Sequence, residues 1–67
     1  MNANIQKVEE AVKRRVPIGG MVPQDQIVLI LQRGGFQKDV IDRALHVMCM
    51  RNELEYKNHR KSLFRKK

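Results

Sequence analysis

The sequence is poor in the side chains that form disulfide bonds and metal sites. It has one cysteine, Cys49, and two histidines. A lone cysteine forms no internal disulfide bond, and with no signal-peptide pattern at the amino terminus we expect a reducing compartment. His46 and Cys49 lie one helical turn apart, but together with His59 they lack the paired short spacings of a structural zinc site. We therefore expect no metal ion, a surface position for His46 and a half-buried thiol.

Signatures of catalysis and of membrane insertion are also missing. No run of about 18 apolar residues is present, so no membrane partner is expected. Gly19-Gly20 is followed by Met-Val-Pro and Gly34-Gly35 by Phe-Gln-Lys, so neither glycine pair forms a phosphate-binding loop. With 67 residues the chain has no room for a large catalytic cleft. The sequence therefore predicts one non-enzymatic domain over residues 1–67, with no cofactor.

Positive charge is abundant but local. The formal net charge is +7, and residues 57–67 alone contain six Lys or Arg and no acid. Lys13, Arg14 and Arg15 form a second basic group, and the rest of the chain is slightly acidic. A local basic patch favours a polyanionic partner, with nucleic acid ahead of an acidic protein or a lipid surface.

Three helices are predicted, over residues 4–15, 23–33 and 38–51. In the first and third, apolar residues recur at steps of three and four with charged residues between them. The second helix begins at Pro23, which suits a first helical turn, and ends at Gly34-Gly35. Its apolar run from Ile27 to Leu31 predicts the most buried of the three helices. Met21 and Val22 are compatible with a very short strand before it.

The last part of the chain predicts a β-hairpin over residues 54–65. Leu54 to Lys57 alternate as in a half-buried strand, and Asn58-His59-Arg60 supply a turn. Tyr56 and one of Leu63 or Phe64 are expected to anchor the hairpin to the helices. The element order predicts an α+β, mainly α, fold of the winged helix-turn-helix class, with the hairpin as its wing.

The candidate nucleic-acid contacts lie on this hairpin and on the third helix. They are Lys57, Asn58, His59, Arg60, Lys61 and Arg65, with Lys38, Arg43 and His46. Cations around a turn suit phosphate contacts, which position a protein without reading sequence. Asp39 and Asp42 repel phosphates, so weak, salt-sensitive, non-specific binding is the prediction. The alternative is a solubilising edge that keeps an exposed strand from aggregating.

Three stretches also carry a family resemblance: VKRRVPIGGMV at residues 12–22, IDRALHVMCMRNELEY at 41–56 and HRKSLFR at 59–65. From about Val8 to Arg65 the chain resembles the C-terminal winged-helix domain of minichromosome maintenance (MCM) replicative helicases, subunit-five type. HRKSLFR is the most specific stretch, because Arg-Lys-x-Leu-aromatic-Arg is typical of that subunit. Asn52 departs from the pattern, since the family commonly has glycine there.

The resemblance implies a non-catalytic domain of a DNA replication licensing helicase subunit in the nucleus. ATP and magnesium would belong to the motor of the parent chain. Implied partners are DNA, bound weakly and without sequence preference, other MCM subunits, and origin-loading or replisome proteins. The isolated domain is expected to be monomeric.

Two other hypotheses remain open from the sequence. One is a pure protein-docking module that uses the third helix, with its mixed charges and Met50. The other is an RNA-binding ribosomal winged helix, a class of small basic proteins with the same architecture.

Overall fold

The structure, a computed structural model, describes residues 3–67. Its elements follow in the order α1 (Ala3–Arg15), β1 (Met21–Pro23), α2 (Gln24–Arg33), α3 (Lys38–Met50), β2 (Leu54–Lys57) and β3 (Ser62–Arg65). This arrangement confirms the predicted α+β, mainly α, winged helix-turn-helix fold. The predicted start of the domain at residue 1 lies outside the described residues, so the single-domain span of 1–67 stays a prediction.

Two element boundaries differ from the prediction for local backbone reasons. Pro23 does not begin α2: its ψ of 134° is extended, and it ends β1 instead. The third helix ends at Met50 rather than at residue 51, because the chain turns through Asn52, whose φ is +62°. Asparagine tolerates this left-handed conformation better than most residues with a β-carbon.

Helices α2 and α3 both end in the same hydrogen-bonded motif. After α2, the Gly35 N–H donates to the Gln32 carbonyl at 3.0 Å and the Phe36 N–H to the Leu31 carbonyl at 3.2 Å. Gly35 has a φ of +102°, which glycine adopts without strain. The same pair of bonds closes α3 around Asn52. Both ends are Schellman caps, which satisfy carbonyls that the helix leaves unpaired.

The core lies between the three helices and one face of the sheet. Its buried members are Val8, Val12, Val16, Ile27, Val28, Leu31, Ile41, Ala44, Leu45, Met48, Leu54 and Leu63. The prediction that the second helix is the most buried is wrong. Leu29 on α2 is 47% exposed, and among the described residues α3 gives four buried side chains to the core and α2 gives three.

The strands form an antiparallel sheet in the order β1-β3-β2. Val22 lies opposite Leu63 in one pair, and Tyr56 lies opposite Leu63 in the other. Strand β3 is therefore the central strand of the sheet, although it is the last of the three along the chain. Pro23 on the edge strand β1 has no N–H to offer, which limits pairing with another chain.

Candidate nucleic-acid interface

The register of the hairpin decides which of its side chains meet the helices. Leu63 is 1% exposed and Leu54 is 2% exposed, and Tyr56 packs against the same core. Phe64 lies on the opposite face, because successive residues of a strand alternate. This confirms the predicted anchors, with Leu63 and not Phe64 as the inward member of the pair.

The wing tip, residues 57–61, is a tight turn with an unusual backbone. Asn58, His59 and Arg60 have φ values of +55°, +57° and +69°. The Lys61 N–H donates to the Asn58 carbonyl at 3.1 Å, and the Asn58 side-chain amide donates to the Ser62 hydroxyl at 3.3 Å. All five wing-tip side chains are exposed. The turn therefore projects three cations, an imidazole and an amide away from the body of the domain.

We predict that His59→Gly raises the free energy of unfolding by about 1 kcal/mol. The left-handed conformation costs a residue with a β-carbon roughly 1–2 kcal/mol, and glycine avoids this cost. Urea denaturation followed by circular dichroism measures the change. His59→Ala is the matched control, because it removes the imidazole and keeps the β-carbon. Equal stabilisation by alanine would contradict the explanation.

Aromatic rings hold two of the wing cations in place. The Arg60 guanidinium lies 4.7 Å from the centroid of the Tyr56 ring, and the Lys57 ammonium lies 5.5 Å from that of Phe64. Lys57 also pairs with Glu55 at 3.4 Å. These contacts restrict the side chains before any ligand arrives, so less entropy is lost on binding.

The wing tip adjoins the carboxyl-terminal half of α3. Burial raises the pKa of the Cys49 thiol, and the positive charge of Arg60 partly opposes that rise. Arg60 therefore lies near Cys49. His46 is exposed three residues earlier, about 60° away around a helix of 3.6 residues per turn. His46 and Cys49 therefore lie on neighbouring parts of the α3 surface.

The other two α3 candidates are less available for an anion. The Lys38 ammonium lies 3.2 Å from a carboxylate oxygen of Asp42. Arg43 lies about 140° around the helix from Lys38. It lines a shallow groove with Ile5 of α1, Asp39 and Val40. By the same helix geometry His46 lies about 80° from Lys38 and about 60° from Arg43, so the three residues share one broad side of α3.

Arg65 was predicted to contact nucleic acid, but the structure gives it an internal role. One guanidinium nitrogen donates to the Lys13 carbonyl at 3.0 Å and to the Val16 carbonyl at 2.9 Å, and Nε donates to the Lys67 carbonyl at 2.8 Å. The side chain thus closes the carboxyl end of α1, where carbonyls have no helical partner. Strand alternation could have predicted the inward position of Arg65. Leu63 faces the core, and residues two positions apart on a strand lie on the same face.

One member of the basic group at the end of α1, Lys13, belongs to a network of ion pairs. Lys13 lies 3.6 Å from Glu53, and Arg51 lies 3.6 Å from the other oxygen of the same carboxylate. Arg51 also pairs with Glu9, and this hydrogen bond raises the pKa of Arg51. Arg14 and Arg15 are exposed, so they are the members of the group that face solvent.

The sequence reasoning missed Tyr56 as the ring beneath Arg60. The predicted hairpin could have indicated this contact. A residue at the end of a strand and one four positions later in a tight turn fold close together. Within residues 3–67, no group of three or more His, Cys, Asp or Glu side chains is placed to hold a metal ion. None of the helices described here has the length and apolar character needed to cross a bilayer.

The sequence is similar to one known protein family and to several of its members. The sequence model of the family described as "MCM5, C-terminal domain" matches residues 7–65. The chain is 35% identical over 66 residues to DNA replication licensing factor MCM5 of Arabidopsis thaliana, which covers 98% of the chain and 9% of that protein. Identity to the protein of the same name from Oryza sativa subsp. indica is 36% over 62 residues, covering 92% of the chain and 8% of the relative.

A third relative, DNA replication licensing factor mcm5 of Dictyostelium discoideum, is 35% identical over 63 residues, which is 94% of the chain and 8% of that protein. The chain thus spans less than a tenth of the length of these relatives. The resemblance inferred from HRKSLFR is confirmed. Because the family match covers most of the 67 residues, the chain belongs to the family of MCM5 C-terminal domains.

Proposed function

We propose that the chain acts as a non-catalytic accessory domain of a DNA replication licensing helicase in the nucleus. Its wing tip makes weak, non-specific contacts with DNA phosphates. Contacts with other MCM subunits and with origin-loading or replisome proteins complete its role in regulating helicase loading and activity. The names of its relatives support the replication setting.

The observation that carries the DNA contact is the wing tip itself. Lys57, Arg60 and Lys61 are exposed around one turn, and residues 57–67 contain no acid. A handful of such phosphate contacts gives binding that depends steeply on salt and little on sequence. We leave Arg65 out of this interface because backbone carbonyls already hold its guanidinium.

We also propose that this chain has no catalytic activity and no cofactor of its own. The sequence has no phosphate-binding loop after either glycine pair. ATP and magnesium would be bound by a motor region elsewhere in the parent protein. The isolated domain is proposed to be monomeric.

A specific observation favours a second function, docking to a protein through α3. Met50 is 71% exposed at the end of this helix, and Lys38 and Asp42 neutralise each other. Such a mixed surface suits a protein better than a phosphate backbone. Crosslinking within an assembled complex separates the two functions: contacts to protein alone, through residues 38–51, would favour docking.

Titration of a labelled DNA duplex over a series of salt concentrations tests the DNA contact. We expect Lys57→Ala/Lys61→Ala to weaken binding by about tenfold at low salt. The slope of log affinity against log salt should become shallower by roughly two, since each phosphate contact contributes about 0.9. Fluorescence anisotropy measures both quantities.

The matched control is Lys7→Ala/Arg33→Ala, which removes the same charge from exposed positions outside the wing. We expect this variant to lose much less affinity. Equal losses in the two variants would mean that only net charge matters. Affinity that ignores salt in the unaltered chain would also count against phosphate contact.

A further inference from the structure

The face of the sheet that points away from the helices carries an apolar pair. We call Met21, Glu55, Lys57 and Phe64 the outer face. Met21 and Phe64 lie directly opposite each other across β1 and β3, so their side chains emerge on the same side. Met21 is 57% exposed. Phe64 is half-buried, although it does not belong to the group of residues packed against the core.

Met21 has no role in the proposed DNA contact, and Phe64 serves that contact only as the ring beneath Lys57. An antiparallel sheet with one face on the core usually turns polar residues to solvent. Single exposed apolar residues are common, but a neighbouring methionine and phenylalanine are of the types enriched at the centre of protein interfaces. Ile18, in the turn leading to β1, is 67% exposed and adds apolar surface before the same strand.

Cations flank the pair at both ends of β3. At one end, Lys57 lies over the Phe64 ring and the exposed Lys61 precedes the strand. At the other end, Lys66 and Lys67 follow it and are exposed. The bonds from Arg65 to carbonyls of α1 bring Arg14 and Arg15 to that same end. An apolar centre between two positive borders is complementary to an acidic segment with an apolar anchor.

We propose that the outer face docks an acidic protein segment that inserts one large apolar side chain beside Met21 and Phe64. Its carboxylates pair with Lys61 at one border and with the lysines after β3 at the other. This docking surface shares Lys61 with the proposed DNA contact, but its apolar centre at Met21 and Phe64 lies outside that contact, so the proposal does not rest on it.

A protein segment fits this face better than single-stranded nucleic acid. Single-strand binding surfaces typically stack several bases on aromatic rings. Phe64 is the aromatic residue that this face offers, since Tyr56 packs against the core. A peptide side chain needs one apolar contact, which Met21 and Phe64 provide.

Fluorescence anisotropy with two labelled peptides tests the proposal on the whole 67-residue chain. One probe is a short peptide rich in Asp and Glu with a central Leu-Phe pair. The other has the same acidic residues around Ala-Ala. We expect the Leu-Phe peptide to bind at least about tenfold more tightly, a factor typical of one well-buried apolar anchor. Equal binding of the two peptides would overturn the proposal.

Substitutions on the outer face locate the binding site. Phe64→Thr keeps a residue suited to a strand and should remove the advantage of the Leu-Phe peptide. Met50→Thr is the control, because it removes an exposed apolar side chain from α3. We expect it to leave the advantage intact. Loss of the advantage in the control alone would place the contact on α3 and contradict the proposal.

Two further measurements distinguish a loss of binding from a loss of folding, and peptide binding from nucleic-acid binding. Chemical-shift mapping of the unaltered chain with the Leu-Phe peptide should show the largest changes at Met21 and Phe64, which does not depend on how a variant folds. Oligo-thymidine is the competing ligand. If Phe64→Thr weakened oligo-thymidine binding and left peptide binding unchanged, the face would be a base-stacking surface and the proposal would be wrong.

Discussion

Leu63→Ala is expected to lower the free energy of unfolding by about 2–4 kcal/mol, because it opens a cavity where the wing meets the helices. Leu63 is 1% exposed on the central strand, with Val22 opposite on one side and Tyr56 on the other. A chain of this length has a stability on the order of 3–10 kcal/mol. The variant should therefore lose a large part of its stability, and all of it at the lower end of this range.

Urea denaturation measured by circular dichroism checks this prediction. Leu29→Ala is the same chemical change at a position on α2 that is 47% exposed. We expect it to cost less than about 1 kcal/mol, since little apolar surface returns to water and alanine favours a helix. If the two variants lost similar stability, Leu63 would not be the anchor of the wing.

Arg65→Ala should cost about 2 kcal/mol, the second-largest effect expected. It removes a charged donor from the carbonyls of Lys13 and Val16 at the end of α1. Hydrogen bonds from charged groups contribute roughly 1.5–3 kcal/mol, and carbonyls left without a partner add a penalty when water does not replace it. Thermal unfolding provides the measurement.

Lys66→Ala removes the same charge from the next residue, which is exposed, and should leave stability nearly unchanged. Arg65→Lys should restore only part of the loss, because an ammonium group does not reproduce the fork of a guanidinium. Full rescue by lysine would show that charge alone matters at this position. An unstable Lys66→Ala variant would also contradict the assignment.

The helices and the hairpin followed from local patterns in the sequence. Steps of three and four in the apolar residues gave α1 and α3, and alternation with a turn-forming Asn58-His59-Arg60 gave the wing. The pattern left open which face of β3 points toward the core. In Ser62-Leu63-Phe64-Arg65 two neighbouring residues are apolar, so alternation permits either one to face the core. Packing against α3 and β1 decides for Leu63.

In the candidate site too, local sequence patterns predicted some features, whereas contacts between distant residues decided others. The cations of the wing tip were predictable because one turn carries them. The hydrogen bonds of Arg65 were not predicted, because their acceptors are carbonyls of α1, some fifty positions earlier in the chain. Arg43 lines a groove with Ile5 of α1, a contact that the local pattern of α3 did not predict. The inward position of Arg65 followed only once Leu63 was known to face the core.

Leu29 shows how a run of apolar residues overstates burial. Ile27 to Leu31 is apolar at every position, but a helix of 3.6 residues per turn presents one stripe to the core. Ile27, Val28 and Leu31 lie on that stripe, and Leu29 points away from it. The residues that flank the run predicted a helix correctly, and the run itself predicted the degree of burial incorrectly.

The proposal for DNA requires a folded wing that presents Lys57, Arg60 and Lys61 as one surface. The most direct measurement is chemical-shift mapping of the isotope-labelled chain with a short DNA duplex at low and high salt. We predict changes concentrated at residues 57–61 and at His46, which fade as salt rises. Changes confined to α1 or to Met21, Glu55 and Phe64, with none at residues 57–61, would contradict it.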